Sequence, residues 1–260
     1  MDAFLWHITI SHYSEKARWA LDYKRVPHRR RYSAGGMHIP VALWLTRGRG
    51  YTFPVLKLDG QVYGDSSAII EVLEERFPEP PLYPEDPAER RRALELEDWF
   101  DEHLGPDIRR FVFYELGRDL ESFEKIVEQA MPPSLFLGRR SALIGRAFTA
   151  ARFGAGDAAA ADAAREGVLH ALDRLERELD GGQYLVGDHF TVADLTATAL
   201  FYPMAQPPEG PLEPRELPER LEAFVAPLRE RSGYRWVLDT YRRHRQQQPA
   251  AVPAGVGSQA

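Results

Sequence analysis

Apolar residues alternate at the start of the chain. Phe4, Trp6, Ile8 and Ile10 share one face of an extended segment over residues 3–10, which predicts a strand. Ser11 ends it, and from about His12 to Lys24 the spacing becomes helical, with Ala17, Ala20, Leu21 and Trp19 turned inward. Lys24 to Arg31 is basic and interrupted by Pro27. It reads as a solvated loop entering a second, polar strand, with a patch that steers an acidic ligand as the alternative. Gly35-Gly36 and Arg47-Gly48-Arg49-Gly50 bound a helical piece at Val41 to Leu45. Thr52 to Leu58 reads as a strand broken by Pro54, and Asp59-Gly60 as a two-residue hairpin turn. Ile69, Ile70, Leu73 and Phe77 then mark a helix over about 66–77.

Strand, helix, strand, helix, hairpin and helix make a compact α/β unit over residues 1–79, of the thioredoxin-like kind. Pro78, Pro80, Pro81, Pro84 and Pro87 then crowd a short stretch, so 80–87 reads as a linker. Beyond it the pattern is helical at about 88–116, 119–130, 135–153, 158–180, 191–202 and 215–245, an all-helical domain over 88–245. Pro132-Pro133 breaks one of these runs. The segment 118–157 carries no motif of its own and reads as a helical insertion. Residues 246–260, polar and rich in Ala, Gly and Pro, are expected to be disordered.

Composition narrows the function classes. The 33 Lys and Arg against 39 Asp and Glu give a net charge of −6, which speaks against a general nucleic-acid binder. The absence of cysteine excludes a disulfide framework, a thiolate metal site and a cysteine nucleophile. The histidines are scattered without a His-x-x-x-His pair, so no metal is expected, and no glycine-rich phosphate loop appears. The N-terminus lacks a charged n-region, and no stretch approaches ~20 apolar residues. A cytoplasmic protein that does not enter membranes is the expectation.

Two places carry chemistry. Pro54 cannot donate to a ladder, so it belongs at an edge or at the first residue of a strand. An X-Pro bond there is a candidate for the cis form, which would turn the amide and carbonyl of Val55 outward to pair with an extended peptide. Asp65-Ser66 then opens a helix, whose free amides and dipole attract a carboxylate or phosphate. Together they describe a slot for a small anionic peptide. At the first strand–helix join Ser11 stands as an N-cap, with His12, Tyr13 and Ser14 beside it. Farther on, Thr191-Val192-Ala193-Asp194 has capping-box chemistry with Phe190 and Leu195 as a staple, a folding element and not a catalytic acid.

The Ser11 to Leu21 turn and helix, Phe53-Pro54-Val55-Leu56 with Asp65-Ser66, and Tyr184 to Leu195 resemble, in this order, the glutathione transferase superfamily. The resemblance implies a glutathione transferase fold and glutathione as co-substrate, its thiol activated for attack on a small electrophile, a detoxification chemistry. It implies a serine-type site: Ser11 donates to the glutathione sulfur, Val55 after Pro54 pairs with the cysteinyl unit, Ser66 receives the γ-glutamyl carboxylate and Asp65 its amino group. A thiol of pKa near 8.5 needs such help to ionise at neutral pH. Ser14 stands where related redox proteins carry a second cysteine, so disulfide exchange is set aside. His12 and Tyr13 are rival donors, and Arg18 reads as one half of a structural ion pair. Thr52 stands where a lysine often lies near the glycyl carboxylate; Arg47, Arg49 or His38 are substitutes. Arg109, Arg110, Phe111, Phe113 and Tyr114 form a stripe that reads as core more readily than as electrophile pocket. A homodimer is implied. The alternatives are a transferase-fold scaffold without catalysis, or a transferase using another low-molecular-weight thiol.

Overall fold

The computed structural model describes residues 1–32, 38–130 and 136–245. The expectations for Gly35-Gly36, Pro132-Pro133 and 246–260 lie outside the described residues. Strand β1 (Ala3–His7) is followed by α1 (His12–Tyr23), β2 (Arg29–Tyr32), α2 (His38–Thr46), β3 (Val55–Leu58), β4 (Gln61–Gly64) and α3 (Ser66–Arg76). The sheet order is β2-β1-β3-β4. β2 lies parallel to β1, with Phe4 opposite Arg29, while β3 runs antiparallel to both neighbours, Leu56 facing Leu5 and Tyr63. Asp59 and Gly60 both take positive φ, 48° and 89°, as the tight hairpin requires.

Alternation splits the sheet between two cores. Leu5, Leu56 and Leu58 join α1 and α3 in the main core, while Val55 packs with Phe53, Ala42, Trp6 and Val62 beneath α2. The first strand is shorter than its alternation suggests: residues 9 and 10 form a turn, and the fully buried face is Ala3, Leu5 and His7. Pro54 precedes an inner strand, not an edge, in agreement with its place just ahead of the ladder.

The helical part holds α4 (Pro87–Trp99), a π-helical turn at Phe100–Leu104, α5 (Gly105–Arg118), α6 (Leu120–Ala130), α7 (Arg139–Phe153), α8 (Ala158–Leu179), α9 (Val192–Ala205), α10 (Glu219–Leu228) and α11 (Ser232–His244). The long helix read at 215–245 is thus two. The chain breaks at Arg229–Arg231, after Pro227 in the last turn of α10. Thr191 and Asp194 form the expected capping box, and Asp194 also accepts the Leu185 amide at 2.8 Å.

Helix α1 lies between α3 on one side and α9 on the other, so residues His12 and Ser14 through Asp22 are buried, charged ones included. Those charges are satisfied internally. Arg18 pairs with Glu15 at 2.8 Å, and Arg245, from the end of α11, reaches Glu15 and Asp22 at 2.7 Å each. The basic run after α1 is not wholly solvated: Lys24 is buried, its ammonium donating to the Phe77 and Pro80 carbonyls.

Candidate functional site

A cleft of about 1020 Å³ opens between the α/β unit and helices α5, α6 and α7. Ser11, Pro54, Asp65 and Ser66, from three separate segments, come together on its α/β wall, with Thr52, Phe53, His12 and Tyr13 among them. The Phe53–Pro54 bond is cis, as the sequence suggested. Val55 is not on the wall. It is fully buried and ladder-paired on both sides, opposite Trp6 and Gly64. An outward-turned amide and carbonyl at Val55 is therefore corrected: an inner strand has neither group to spare. Phe53, one step before the ladder, lines the cleft and makes no backbone hydrogen bond among the described residues.

The first turn of α1 sorts its donors. Ser11 caps the helix, its Oγ accepting the Ser14 amide at 3.2 Å, which leaves its own O–H able to donate. Ser14 is fully buried and accepts the Ile8 amide, a structural latch. His12 Nε2 lies 3.1 Å from the Gly105 carbonyl; burial first, then the Arg109 charge, lower its pKa to about 3, so the neutral ring donates there. Tyr13 commits its hydroxyl to the Asp101 carbonyl at 2.9 Å, and burial keeps the phenol protonated. Tyr13 thus has its hydroxyl proton committed, while Ser11 and Ser14 have theirs without an assigned acceptor, and of these two serines only Ser11 lines the cleft.

The mouth of α3 is built differently. Asp65 caps it, accepting the Ser67 amide at 2.8 Å, from a backbone at φ 80° that a non-glycine residue adopts only when its surroundings impose it. Ser66 is 1 % exposed and its Oγ has no partner. A buried hydroxyl left unpaired at a helix N-terminus costs free energy unless something docks there. Behind it the buried Lys16 ammonium bridges Glu97 at 2.9 Å, Asp101 at 2.7 Å and Ser67 Oγ at 2.9 Å. Burial disfavours the Lys16 cation, but Glu97 and Asp101 outweigh it and raise its pKa, while burial holds the Asp101 carboxyl above its usual range.

The opposite wall was only half legible. Arg109 and Phe113 of the expected stripe line the cleft, whereas Phe111 packs in the core against Phe224 at 4.7 Å. Arg110 donates to the Phe153 carbonyl, and Tyr114 accepts from Arg118. Phe148, Phe153 and Arg152 of α7 complete the wall, and nothing in their local sequence points to it. His38 also reaches the cleft; Arg47 and Arg49 do not, and Arg49 folds back onto the Thr46 carbonyl. Among the described residues no cluster of three His, Asp or Glu is placed to hold a metal. No described helix is long and apolar enough to cross a membrane.

Known proteins share this fold. Family models described as the N-terminal and C-terminal domains of glutathione S-transferase match residues 5–81 and 126–231. The second model takes in most of the segment 118–157, so its larger part lies within the family's helical domain. The chain is 29% identical to FtsZ-localized protein A of Caulobacter vibrioides over 135 residues, 52% of this chain and 46% of that one. It is 30% identical to a probable maleylacetoacetate isomerase of Caenorhabditis elegans over 151 residues, 57% of this chain and 54% of the relative. The chain thus spans about half the length of these curated relatives. A theta class glutathione S-transferase from Xanthomonas axonopodis pv. citri, solved with glutathione bound, superposes with a TM-score of 0.56 at 23% identity, covering 95% of this chain and 98% of that one.

Proposed function

Because the chain belongs to the glutathione S-transferase superfamily, we propose that it is a glutathione S-transferase-like enzyme acting on a small electrophile. The observation that carries this reading is the unpartnered, buried Ser66 hydroxyl at the α3 N-terminus, facing the same cleft as the Ser11 cap. In this reading Ser66 and the α3 amides receive the γ-glutamyl carboxylate, and the Asp65 carboxylate faces the neighbouring ammonium. The free backbone groups of Phe53, in place of Val55, pair with the cysteinyl unit, and Pro54 shapes that wall. Ser11 donates its O–H to the sulfur, and the α1 dipole favours the anion. Bound glutathione supplies the nucleophile: its sulfur pair forms the new carbon–sulfur bond as the electrophile releases a leaving group or takes up a proton. We expect a homodimer, the usual superfamily assembly; sedimentation at the mass of one chain would refute that part.

Calorimetric titration of glutathione tests the reading. Ser66→Ala is expected to weaken binding about tenfold while leaving thermal stability unchanged or slightly higher, because the hydroxyl it removes has no partner. Ser11→Ala is expected to raise the pKa of the bound thiol, read from thiolate absorbance. No heat at millimolar glutathione refutes the reading. A binding or scaffold role would then lead, the reading favoured by the likeness to a protein named for its localisation with FtsZ.

A further inference from the structure

We infer that the second substrate is an organic anion, an aromatic or conjugated electrophile whose carboxylate is received by Arg109 while its ring lies against the phenylalanines of α5 and α7. This rests on the transferase reading and specifies its other half.

Arg109 is the observation. It lines the cleft from α5, and its Nε is buried without a hydrogen-bond partner. Its guanidinium carbon lies 4.3 Å from the centroid of the Phe153 ring and 5.6 Å from that of Tyr13. Among the described residues no carboxylate comes within ion-pair distance of it, and the residues outside the description contain no Asp or Glu side chain. Asp101, whose charge reaches Arg109, is engaged by Lys16 at 2.7 Å, and Asp107, two residues before it in α5, pairs with Arg110 at 3.8 Å. Among the described residues the more deeply buried charges Lys16, Glu15, Arg18 and Arg245 are all paired. A half-buried cation held against two aromatic faces with no counter-ion is costly in the free protein and is relieved by an anion.

A second cation strengthens the case. Arg152 of α7 also faces the cleft, its guanidinium 5.5 Å from the same Phe153 ring and, among the described residues, likewise without an ion pair. Two like charges on one ring repel, and after burial this repulsion is a cause of the lowered Arg109 pKa. A ligand bearing negative charge is what both would bind. The space between them is apolar: Phe153 stacks on Phe113 at 5.8 Å and 10°, and Phe148 meets Phe153 edge-on. Tyr13, whose ring Arg109 covers, stands two residues after Ser11, so the anion seat adjoins the proposed sulfur site. Planar guanidinium matches a carboxylate with two parallel hydrogen bonds, which ammonium cannot do.

The test compares chlorodinitrobenzene with its carboxylate, chlorodinitrobenzoate. With either, the thiol sulfur bonds to the ring carbon, chloride leaves with the carbon–chlorine pair, and the thiol proton passes to solvent. The wild type is expected to prefer the carboxylate by about tenfold or more in kcat/KM, and Arg109→Gln to collapse that ratio toward one, chiefly through KM. Arg152→Gln is expected to shift it in the same direction by less, since that residue is exposed. Titration with dinitrobenzoate, which has no leaving group, reads the seat without turnover and stands even if glutathione fails to bind. Binding that Arg109→Gln weakens about tenfold supports the inference. Equal handling of the two substrates by the wild type overturns it. So does an Arg109→Gln variant that weakens glutathione and leaves dinitrobenzoate untouched, since Arg109 would then serve the thiol half.

Discussion

Lys16→Met removes the cation beneath the α3 mouth and keeps most of the apolar stem. In the wild type the ammonium is fully buried and sits within 2.9 Å of Glu97, 2.7 Å of Asp101 and 2.9 Å of Ser67 Oγ. Breaking a buried pair from one side typically costs about 3–5 kcal/mol, because the remaining charge keeps its desolvation penalty without its partner. Glu97 is 2% exposed and bears that penalty in full, while Asp101, at 21%, keeps some water, so about 3–4 kcal/mol is expected at neutral pH. The sign of the pH dependence follows. Without the cation, the burial that already holds the Asp101 carboxyl above its usual range acts without the opposing Lys16 charge. A carboxyl so raised contributes stability at low pH that is lost as pH rises through the folded value. The deficit of the variant relative to wild type should therefore be larger near pH 7.5 than near pH 5, by about 1 kcal/mol or more. Urea denaturation followed by far-ultraviolet circular dichroism at both pH values measures it. Adding Glu97→Gln should recover part of the loss. A neutral-pH loss below about 1 kcal/mol, or a deficit equal at both pH values, refutes the view that Lys16 holds a buried charge cluster under the ligand site.

Other perturbations probe separate parts of the fold. Burial pushes the Asp194 carboxyl up to about 6, despite the Leu185 and Thr191 amides donating to it. A folded pKa above the unfolded one means stability lost as pH rises, so the wild-type advantage over Asp194→Asn should shrink by about 2 kcal/mol between pH 4 and 6.5; a flat difference in urea titrations refutes this. Gly105→Ala places a methyl group on the Tyr13 hydroxyl. It is expected to cost about 1–3 kcal/mol and to weaken glutathione binding by disturbing the Ser11 turn, which calorimetry checks. Arg245→Met uncovers Glu15 and Asp22, each still paired once through Arg18 and Arg30, so about 2–3 kcal/mol is expected as a lowered thermal midpoint. An unchanged midpoint would show that the end of α11 does not hold α1.

The sequence by itself determined whatever rests on near neighbours. The Asp59-Gly60 hairpin, the helical periods of α3 and α8, the Thr191–Asp194 capping box and the Ser11 and Asp65 caps depend on residues a few positions apart, and each was readable before any contact was known. Motif order then sufficed to place Ser11, Pro54, Asp65 and Ser66 in one cleft. Only the tertiary structure decided how many sides of an element are covered. Glu15, Lys16 and Arg18 look like solvated positions of an amphipathic helix, yet the fold buries all three and their charges must be met from residues up to 230 positions away, Glu97 and Asp101 for Lys16 and Arg245 for Glu15. Val55 reads as the first free residue after a proline, but β1 and β4 flank it, and the unpaired backbone falls on Phe53. Arg109 differs from its neighbour Arg110 by a turn of 100° about the helix axis, a rotation that leaves Arg110 with Asp107 and points Arg109 into the cleft without a counter-ion. Periodicity specifies which residues share a face; what that face meets is set by packing between elements far apart in the chain, and local spacing holds no record of it.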